Sequence, residues 1–198
     1  MGDIEAFPLR GAWTGNRGVL HRGEEIVRPF ASKLWIVCAL EFRGRWREQW
    51  LANRYTSLFF HDEALAFAAG HRPCAECRRA AYNAYRDAWA GELGGAAPSA
   101  AEMNEQLHSE RLVPRTRQRR SHPEPWRDLP DGAFVRLDDE PHLVLGDRLV
   151  RWTREGYAEG VRRPTHGPAA AITPPSTLGV LRGGYPLQID DGAFRFAR

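Results

Sequence analysis

The chain has 198 residues, 42% of them hydrophobic, and a net charge of +3. This length allows one medium domain or two small ones, and the seven tryptophans favour a folded protein over a disordered one. The sequence has no apolar run of about 18 residues and no hydrophobic signal core, so we expect a cytoplasmic protein that does not act at a membrane.

The N-terminal part has the pattern of a small mixed domain. Extended segments are predicted over 19–21, 34–42, 46–50 and 55–60. Arg43-Gly44-Arg45 reads as the turn between the second and the third of these. Asp62 has the position of a helix N-cap before an Ala-rich segment, and Gly70 is the expected stop of that short helix.

Two longer helices are predicted next in the chain. The first, from about 78 to 93, is amphipathic because apolar residues recur at helical spacing at Tyr82, Tyr85, Trp89 and Leu93. A Gly- and Pro-rich hinge follows at 94–98. Ser99 and Glu102 then form a capping box that predicts a second helix from 100 to about 113.

The C-terminal part changes to a β pattern. Short strands are predicted over 133–137, 142–145, 148–153 and 186–189. The stretch 156–170 is rich in Gly and Pro and is predicted to be a loop, and Ser176 is predicted to cap one or two helical turns. We therefore expect an α+β protein with a zinc-knuckle domain at 1–95, a helix and Arg-rich connector at 96–125, and a β-rich domain at 126–198.

The three cysteines point to a metal site. Cys74 and Cys77 form a Cys-x-x-Cys turn, which places two thiolates on one side of a metal, and zinc prefers such ligands. Cys38 and His21 are the candidates for the other two positions, a set that uses every cysteine in the chain. His61 and His71 lie nearer in sequence and are alternatives. A thioredoxin-like redox pair is disfavoured because no βαβ pattern precedes the turn.

Residues around the Cys-x-x-Cys turn resemble a known family. Phe59-Phe60, a nine-residue helical segment, Gly70 and Arg72-Pro73-Cys74-x-x-Cys77-Arg78 are similar to the second half of the Ada-type metal-binding module of bacterial DNA alkylation repair. The resemblance covers about residues 55–80. It implies a zinc site whose other two ligands come from an earlier hairpin, and an early cysteine that accepts a methyl group from a DNA phosphotriester. His21 and Cys38 depart from the pattern because the module's early ligands lie close together.

Arginine clusters indicate nucleic acid as the partner. The chain has one lysine, Lys33, beside 27 arginines. Codon bias in a GC-rich genome explains much of that composition. Guanidinium groups nevertheless suit phosphate contacts and base stacking, and an aromatic ring among them can stack on a base. The candidate contacts are Arg43, Arg45, Trp46, Arg47, Arg78 and Arg79.

The sequence favours a zinc-stabilised protein that binds nucleic acid, DNA more than RNA. An enzyme is the alternative, either a methyl-phosphotriester acceptor at Cys38 or a metal-dependent nuclease near His108, Glu110 and His122. A metal-stabilised module that binds a protein partner is the third hypothesis.

Overall fold

The computed structural model describes residues 4–6, 8–44, 48–116 and 118–197. Within these ranges the chain forms a four-stranded sheet, a six-stranded sheet, a two-stranded hairpin and five α-helices. The predicted α+β class is confirmed. No helix in the described part of the chain combines the length and the apolar character that crossing a bilayer requires.

The four-stranded sheet places the candidate metal ligands. Its strands are β1 (Trp13–Asn16), β4 (Ile36–Ala39), β5 (Leu58–Phe60) and β6 (Arg72–Pro73), and the hairpin joins β2 (His21–Arg22) and β3 (Glu25–Ile26). The strand order is β5-β1-β4-β6, with β1 antiparallel to both neighbours and β6 parallel to β4. Because β4 and β6 are parallel, their C-terminal ends lie at the same end of the sheet, which brings Cys38 near the residues that follow β6.

Several strands differ from the sequence-based expectation. The predicted strand over 34–42 is confirmed in its centre, where β4 lies. The predicted strand over 46–50 falls partly on 45–47, outside the described residues, and 48–50 is not a strand. Four-residue β1 was not predicted because Gly15 and Asn16 weaken its pattern.

The helices are α1 (Glu63–Ala68), α2 (Arg79–Leu93), α3 (Ala100–Arg111), α4 (Pro175–Arg182) and α5 (Asp191–Phe194). Of these, α1 and α3 begin where their predicted capping residues place them. Asp62 accepts a hydrogen bond from the Leu65 amide at 2.8 Å, and both bonds of the Ser99–Glu102 capping box are present. Gly70 has a φ of +82°, and a side chain there would meet Arg111 Cδ at 2.8 Å, so glycine is required for two reasons.

The C-terminal sheet is antiparallel and larger than the sequence predicts. Its strands are β7 (His122–Pro125), β8 (Phe134–Leu137), β9 (Glu140–Leu145), β10 (Arg148–Thr153), β11 (Gly156–Arg162) and β12 (Pro168–Ala171), in the order β11-β10-β9-β8-β12-β7.

The predicted loop over 156–170 was wrong for residues 156–162 and 168–170, which are strands, and Gly160 serves strand packing. A Cβ at Gly160 would lie 2.0 Å from the carbonyl oxygen of Phe196, so this glycine lets the C-terminal segment cross β11. The predicted strand over 186–189 is absent from the described sheets, and its Gln188 amide instead donates to Glu63. Ser176 is not the N-cap of α4, because that position is taken by Pro174. The amide and the hydroxyl of Ser176 both donate hydrogen bonds to the Glu110 carboxylate.

The main hydrophobic core crosses the predicted domain boundaries. Phe67, Tyr85 and Trp89 from the N-terminal half pack in one cluster with Val180 and Tyr185 from the C-terminal half. Helix α1 also turns Ala64 and Ala68 toward a second cluster, which contains strands of the six-stranded sheet. Part of the apolar surface of residues 1–95 is therefore buried against the C-terminal part.

A buried acidic pair at the start of α1 connects distant segments. Asp62 accepts hydrogen bonds from the Tyr157 hydroxyl at 2.6 Å and the Asp190 amide at 3.1 Å. Glu63, 1% exposed, pairs with Arg78 at 2.6 Å and accepts from the Tyr185 hydroxyl at 2.8 Å. Burial raises the pKa of Asp62, while its donors act in the opposite direction.

A buried basic cluster surrounds Trp35 at the other end of α1. The guanidinium carbons of Arg17 and Arg111 lie 4.0 and 3.9 Å from the centre of the Trp35 ring. Arg111 donates to the carbonyl of Gly70, and Arg119 donates to that of Ala68, so both hold the last turn of α1. Arg17 Nε donates to His71 Nε2 at 3.3 Å, which assigns the ring proton of His71 to Nδ1.

We expect Glu63→Ala to lower the free energy of unfolding by about 3–5 kcal/mol, because it leaves the buried Arg78 charge without its partner. Urea denaturation measures this. Glu159→Ala, which removes half of an exposed pair with Arg151, is the control and should lower stability far less than Glu63→Ala. Equal losses in the two variants would contradict the role of the buried pair.

Residue His71 should make stability depend on pH. Burial, and then the Arg17 and Arg111 charges, hold the pKa of His71 well below its usual range. Below about pH 6.5 the unfolded histidine therefore binds a proton that the folded one does not, so stability falls as pH falls, by about 1.4 kcal/mol per pH unit for this one proton.

In His71→Gln the contribution of His71 to the pH dependence of stability should disappear. Urea denaturation between about pH 5 and 6.5 compares the variant with the parent protein, which shares every other titrating group. The exposed His166 supplies the control variant His166→Gln. Parallel stability curves for His71→Gln and the parent would show that His71 is protonated in the folded state.

Candidate metal centre

Cys38 lies on the open face of the four-stranded sheet. Thr14 on β1 is directly opposite Cys38 on one side and directly opposite Phe59 of β5 on the other. Residues opposite each other on neighbouring strands share a face, so the three side chains form a row across the sheet. Trp35 and Val37, which alternate with Cys38 along the chain, are buried on the other face.

The Cys-x-x-Cys turn begins directly after β6. The Cys74 amide donates to the Val37 carbonyl at 3.0 Å, which extends the pairing of β6 with β4 by one residue. The Arg78 amide donates to the Cys74 carbonyl at 3.1 Å and closes the turn, after which α2 begins at Arg79. The strand pairing and the helix start together fix both ends of the turn.

The three cysteines form one cluster. The sulfur atoms of Cys38, Cys74 and Cys77 all lie within 4.8 Å of one another, and all three thiols are free. In a tetrahedral zinc–thiolate site with Zn–S bonds of about 2.3 Å, neighbouring sulfurs lie about 3.8 Å apart. The arrangement could therefore hold a metal ion with small side-chain movements.

Hydrogen bonds in the cluster favour an anion at Cys74. The Cys38 thiol, followed by the amides of Cys77 and Glu76, lowers the pKa of Cys74 to about 5. The same thiol contact is the largest cause that raises the pKa of Cys38, while burial raises that of Cys77. The Ala39 amide donates to Cys77 Sγ. Amides directed at sulfur are what a metal-bound thiolate requires of its surroundings.

A cleft of about 570 Å³ opens beside the cluster, and all three cysteines line it. Its other described walls include both polar and aromatic side chains, among them Thr14, Asn16, Glu41, Tyr55, Phe59 and Glu76. The sequence did not single out this cleft, because its residues come from four separate segments. Among its polar and aromatic lining residues, only Glu76 is close in sequence to a predicted ligand, because it lies inside the Cys-x-x-Cys turn.

The structure does not bring His21 to the cysteines. Its ring nitrogens contact the Thr56 hydroxyl at 2.6 Å and the Leu51 carbonyl at 3.3 Å, and it is outside the sulfur group. His21 follows β1 beyond its Asn16 end, whereas Thr14 is the residue that lies opposite Cys38. The predicted four-ligand set is therefore corrected to three cysteines among the described residues.

The alternative ligands His61 and His71 also lie elsewhere. His61 Nε2 is 3.3 Å from an Asp190 carboxylate oxygen, and His71 is in the basic cluster around Trp35. Neither histidine belongs to the sulfur group.

Of the six predicted nucleic-acid contacts, the structure leaves Arg43 and Arg79 exposed. Arg45, Trp46 and Arg47 lie outside the described residues. Arg78 was expected to meet a phosphate, but its side chain is 8% exposed, pairs with Glu63 and stacks 3.8 Å above Trp13. Its position one residue before α2 directs it at the acidic start of α1.

The groups considered for a nuclease have structural partners. The Glu110 carboxylate binds the amide and hydroxyl of Ser176. His122 Nε2 contacts the Glu110 carbonyl at 2.8 Å, and His108 Nδ1 accepts from Arg111 at 3.1 Å. These side chains form no metal-ligating group in the described part of the chain.

Comparisons with models of protein families, with curated proteins and with solved structures gave no match to this chain. The resemblance to the Ada-type module stays a prediction.

We expect Cys38→Ala, Cys74→Ala and Cys77→Ala each to weaken Zn²⁺ affinity by more than about a hundredfold, because substitutions of even outer-sphere groups cost 10–100-fold. His21→Gln should leave the affinity unchanged, since His21 lies outside the sulfur group. Competition with a chromophoric chelator measures the Zn²⁺ affinity of the parent protein and of each variant. A loss in His21→Gln as large as that in Cys77→Ala would make His21 a ligand after all.

Proposed function

We propose that Cys38, Cys74 and Cys77 bind one zinc ion, and that the protein associates with nucleic acid through arginines around the adjoining cleft. The close approach of the three sulfurs is the observation that carries this proposal. Thiolates select soft or borderline metals, among which zinc favours tetrahedral sulfur sites. A reducing cytoplasm would keep these thiols available as ligands.

Bound zinc would join segments that the chain brings together only in space. Cys38 belongs to β4, whereas Cys74 and Cys77 lead into α2. The metal would therefore fix the edge of the sheet against the start of the helix, and its binding energy would add to the stability of this region.

Two exposed arginines lie next to the cleft. Arg43 stands between the lining residues Phe42 and Gly44, and Arg79 follows Cys77 by two residues. Phe59, which lines the same cleft, is 60% exposed. Exposed guanidinium groups beside an exposed aromatic ring are the combination that binds phosphates and stacks on unpaired bases.

Charge distinguishes the interior of the cleft from its rim as a place for phosphates. The described lining of the cleft includes the carboxylate of Glu41 and no basic side chain. Phosphates would be repelled from this interior and attracted to Arg43 and Arg79 outside it. We therefore assign the backbone contacts to the rim of the cleft.

The methyl-acceptor alternative has one favourable observation, because Cys38 is half-buried and lines the cleft. In that reaction the thiolate sulfur would bond to the methyl carbon while the carbon–oxygen bond to the phosphotriester breaks, releasing a phosphodiester anion. Stoichiometric methylation of Cys38, read by peptide mass spectrometry after incubation with methylated DNA, is the measurement that would favour it.

Nucleic-acid affinity should fall steeply with salt. For the double variant Arg43→Ala with Arg79→Ala, the slope of log affinity against log salt should become shallower by roughly 1.4 on single strands or 1.8 on duplex, since each phosphate that the variant no longer neutralises accounts for about 0.7 or 0.9. Fluorescence anisotropy between about 50 and 200 mM salt measures the slopes.

A matched control is Arg127→Ala, since its side chain is 83% exposed and lies in the C-terminal part. This variant should keep the parent slope. Parent binding that does not change across the salt range would reject nucleic-acid association through these arginines.

A further inference from the structure

We propose that the cleft supplies the fourth ligand of the bound metal from outside the protein, and that this ligand is a planar nitrogen heterocycle, neutral or cationic. The inference rests on the metal site of the proposed function and adds the chemical class of the molecule that the site receives.

The protein itself provides three ligands. No histidine, aspartate, glutamate or further cysteine joins the three sulfurs among the described residues. A tetrahedral metal needs a fourth donor, and sites that exchange ligands differ from structural sites in leaving that position to solvent or substrate. The histidine that the sequence favoured as a ligand, His21, is held by Thr56.

The sulfurs adjoin an open space of suitable size. All three cysteines line the cleft of about 570 Å³, which is within the range of about 300–1,000 Å³ typical of small-molecule sites. A ligand in the cleft would thus reach the metal without displacing the core behind β4.

The cleft also offers a flat apolar surface. Phe59, Thr14 and Cys38 stand in a row across three strands, so the Phe59 ring lies on the same face as the sulfur of Cys38. Phe59 is 60% exposed although its neighbour Leu58 is buried. The ring is two strands, about 10 Å, away from Cys38 in this row. It provides a stacking surface for a planar molecule that extends to the metal and carries the donor atom at its ring edge.

The charge of the site disfavours an anion as the fourth ligand. Three thiolates and one divalent metal ion carry a net charge of −1, and Glu41 adds a carboxylate to the described lining. A carboxylate or phosphate entering the cleft would meet repulsion, whereas a neutral or protonated heterocycle would not. Ring nitrogens are good ligands for zinc, so a heterocycle meets the requirements of the metal, the ring surface and the charge together.

The test uses the full chain loaded with Co²⁺, whose visible spectrum reports the fourth ligand and whose sulfur-to-metal charge-transfer bands report the thiolates. Benzimidazole is the probe, and acetate is the anionic comparison. We expect benzimidazole to change the visible bands saturably while the charge-transfer bands persist, and acetate to bind at least about tenfold more weakly.

Phe59→Ala should weaken benzimidazole binding by roughly five- to a hundredfold, the effect of losing one stacked ring, with the ligand-free Co²⁺ spectrum unchanged. Phe194→Ala is the control, because Phe194 is also an exposed aromatic residue but does not line the cleft. It should bind benzimidazole as the parent does.

The two levels of the proposal fail differently. If Co²⁺ gives no charge-transfer bands, the metal site of the proposed function is wrong. If the bands appear but benzimidazole leaves the visible spectrum unchanged, the metal does not take a heterocycle as its fourth ligand and the further inference is overturned. Binding that is indifferent to Phe59→Ala, or stronger for acetate, overturns the assignment of a planar, non-anionic ligand.

Discussion

The fold depends on the acidic pair at the start of α1. Asp62 and Glu63 are almost fully buried, and together they bind groups from β11, from the turn before α2 and from the segment after α4. Two carboxylates in the interior are costly unless each of them is satisfied by donors. Because the donors come from distant parts of the chain, the pair is satisfied only when the two sheets and α1 are assembled.

The metal centre is coupled to this pair through Arg78. That residue follows Cys77 directly, and its guanidinium is fixed by Glu63 and by the face of Trp13. The turn that carries two sulfurs is thus held from the core side by an ion pair and from the sheet side by the pairing of Cys74 with β4. A rigid support of this kind holds thiolates at the spacing that a metal requires.

Positive charge has two different uses in this chain. Arg17, Arg111 and Arg119 surround Trp35 in the interior, where Arg111 and Arg119 hold carbonyls at the end of α1. Arg43 and Arg79 remain on the surface beside the cleft. An arginine-rich composition therefore overstates the charge that can meet a phosphate, and exposure decides which arginines can serve in binding.

The sequence by itself determined the features that are local. The caps at Asp62 and Ser99, the apolar stripe of α2 and the Cys-x-x-Cys turn depend on residues within one or two helical turns. The structure contains the caps, the turn and the stripe, except that Leu93 at the end of the stripe is exposed. Tertiary structure decided that Cys38 joins the turn and His21 does not, that Arg78 is buried, and that most of 156–170 forms two strands. These outcomes depend on strand register and on contacts with distant parts of the chain. His21, for example, contacts Thr56, more than 30 residues away. Residue type and spacing do not encode such contacts.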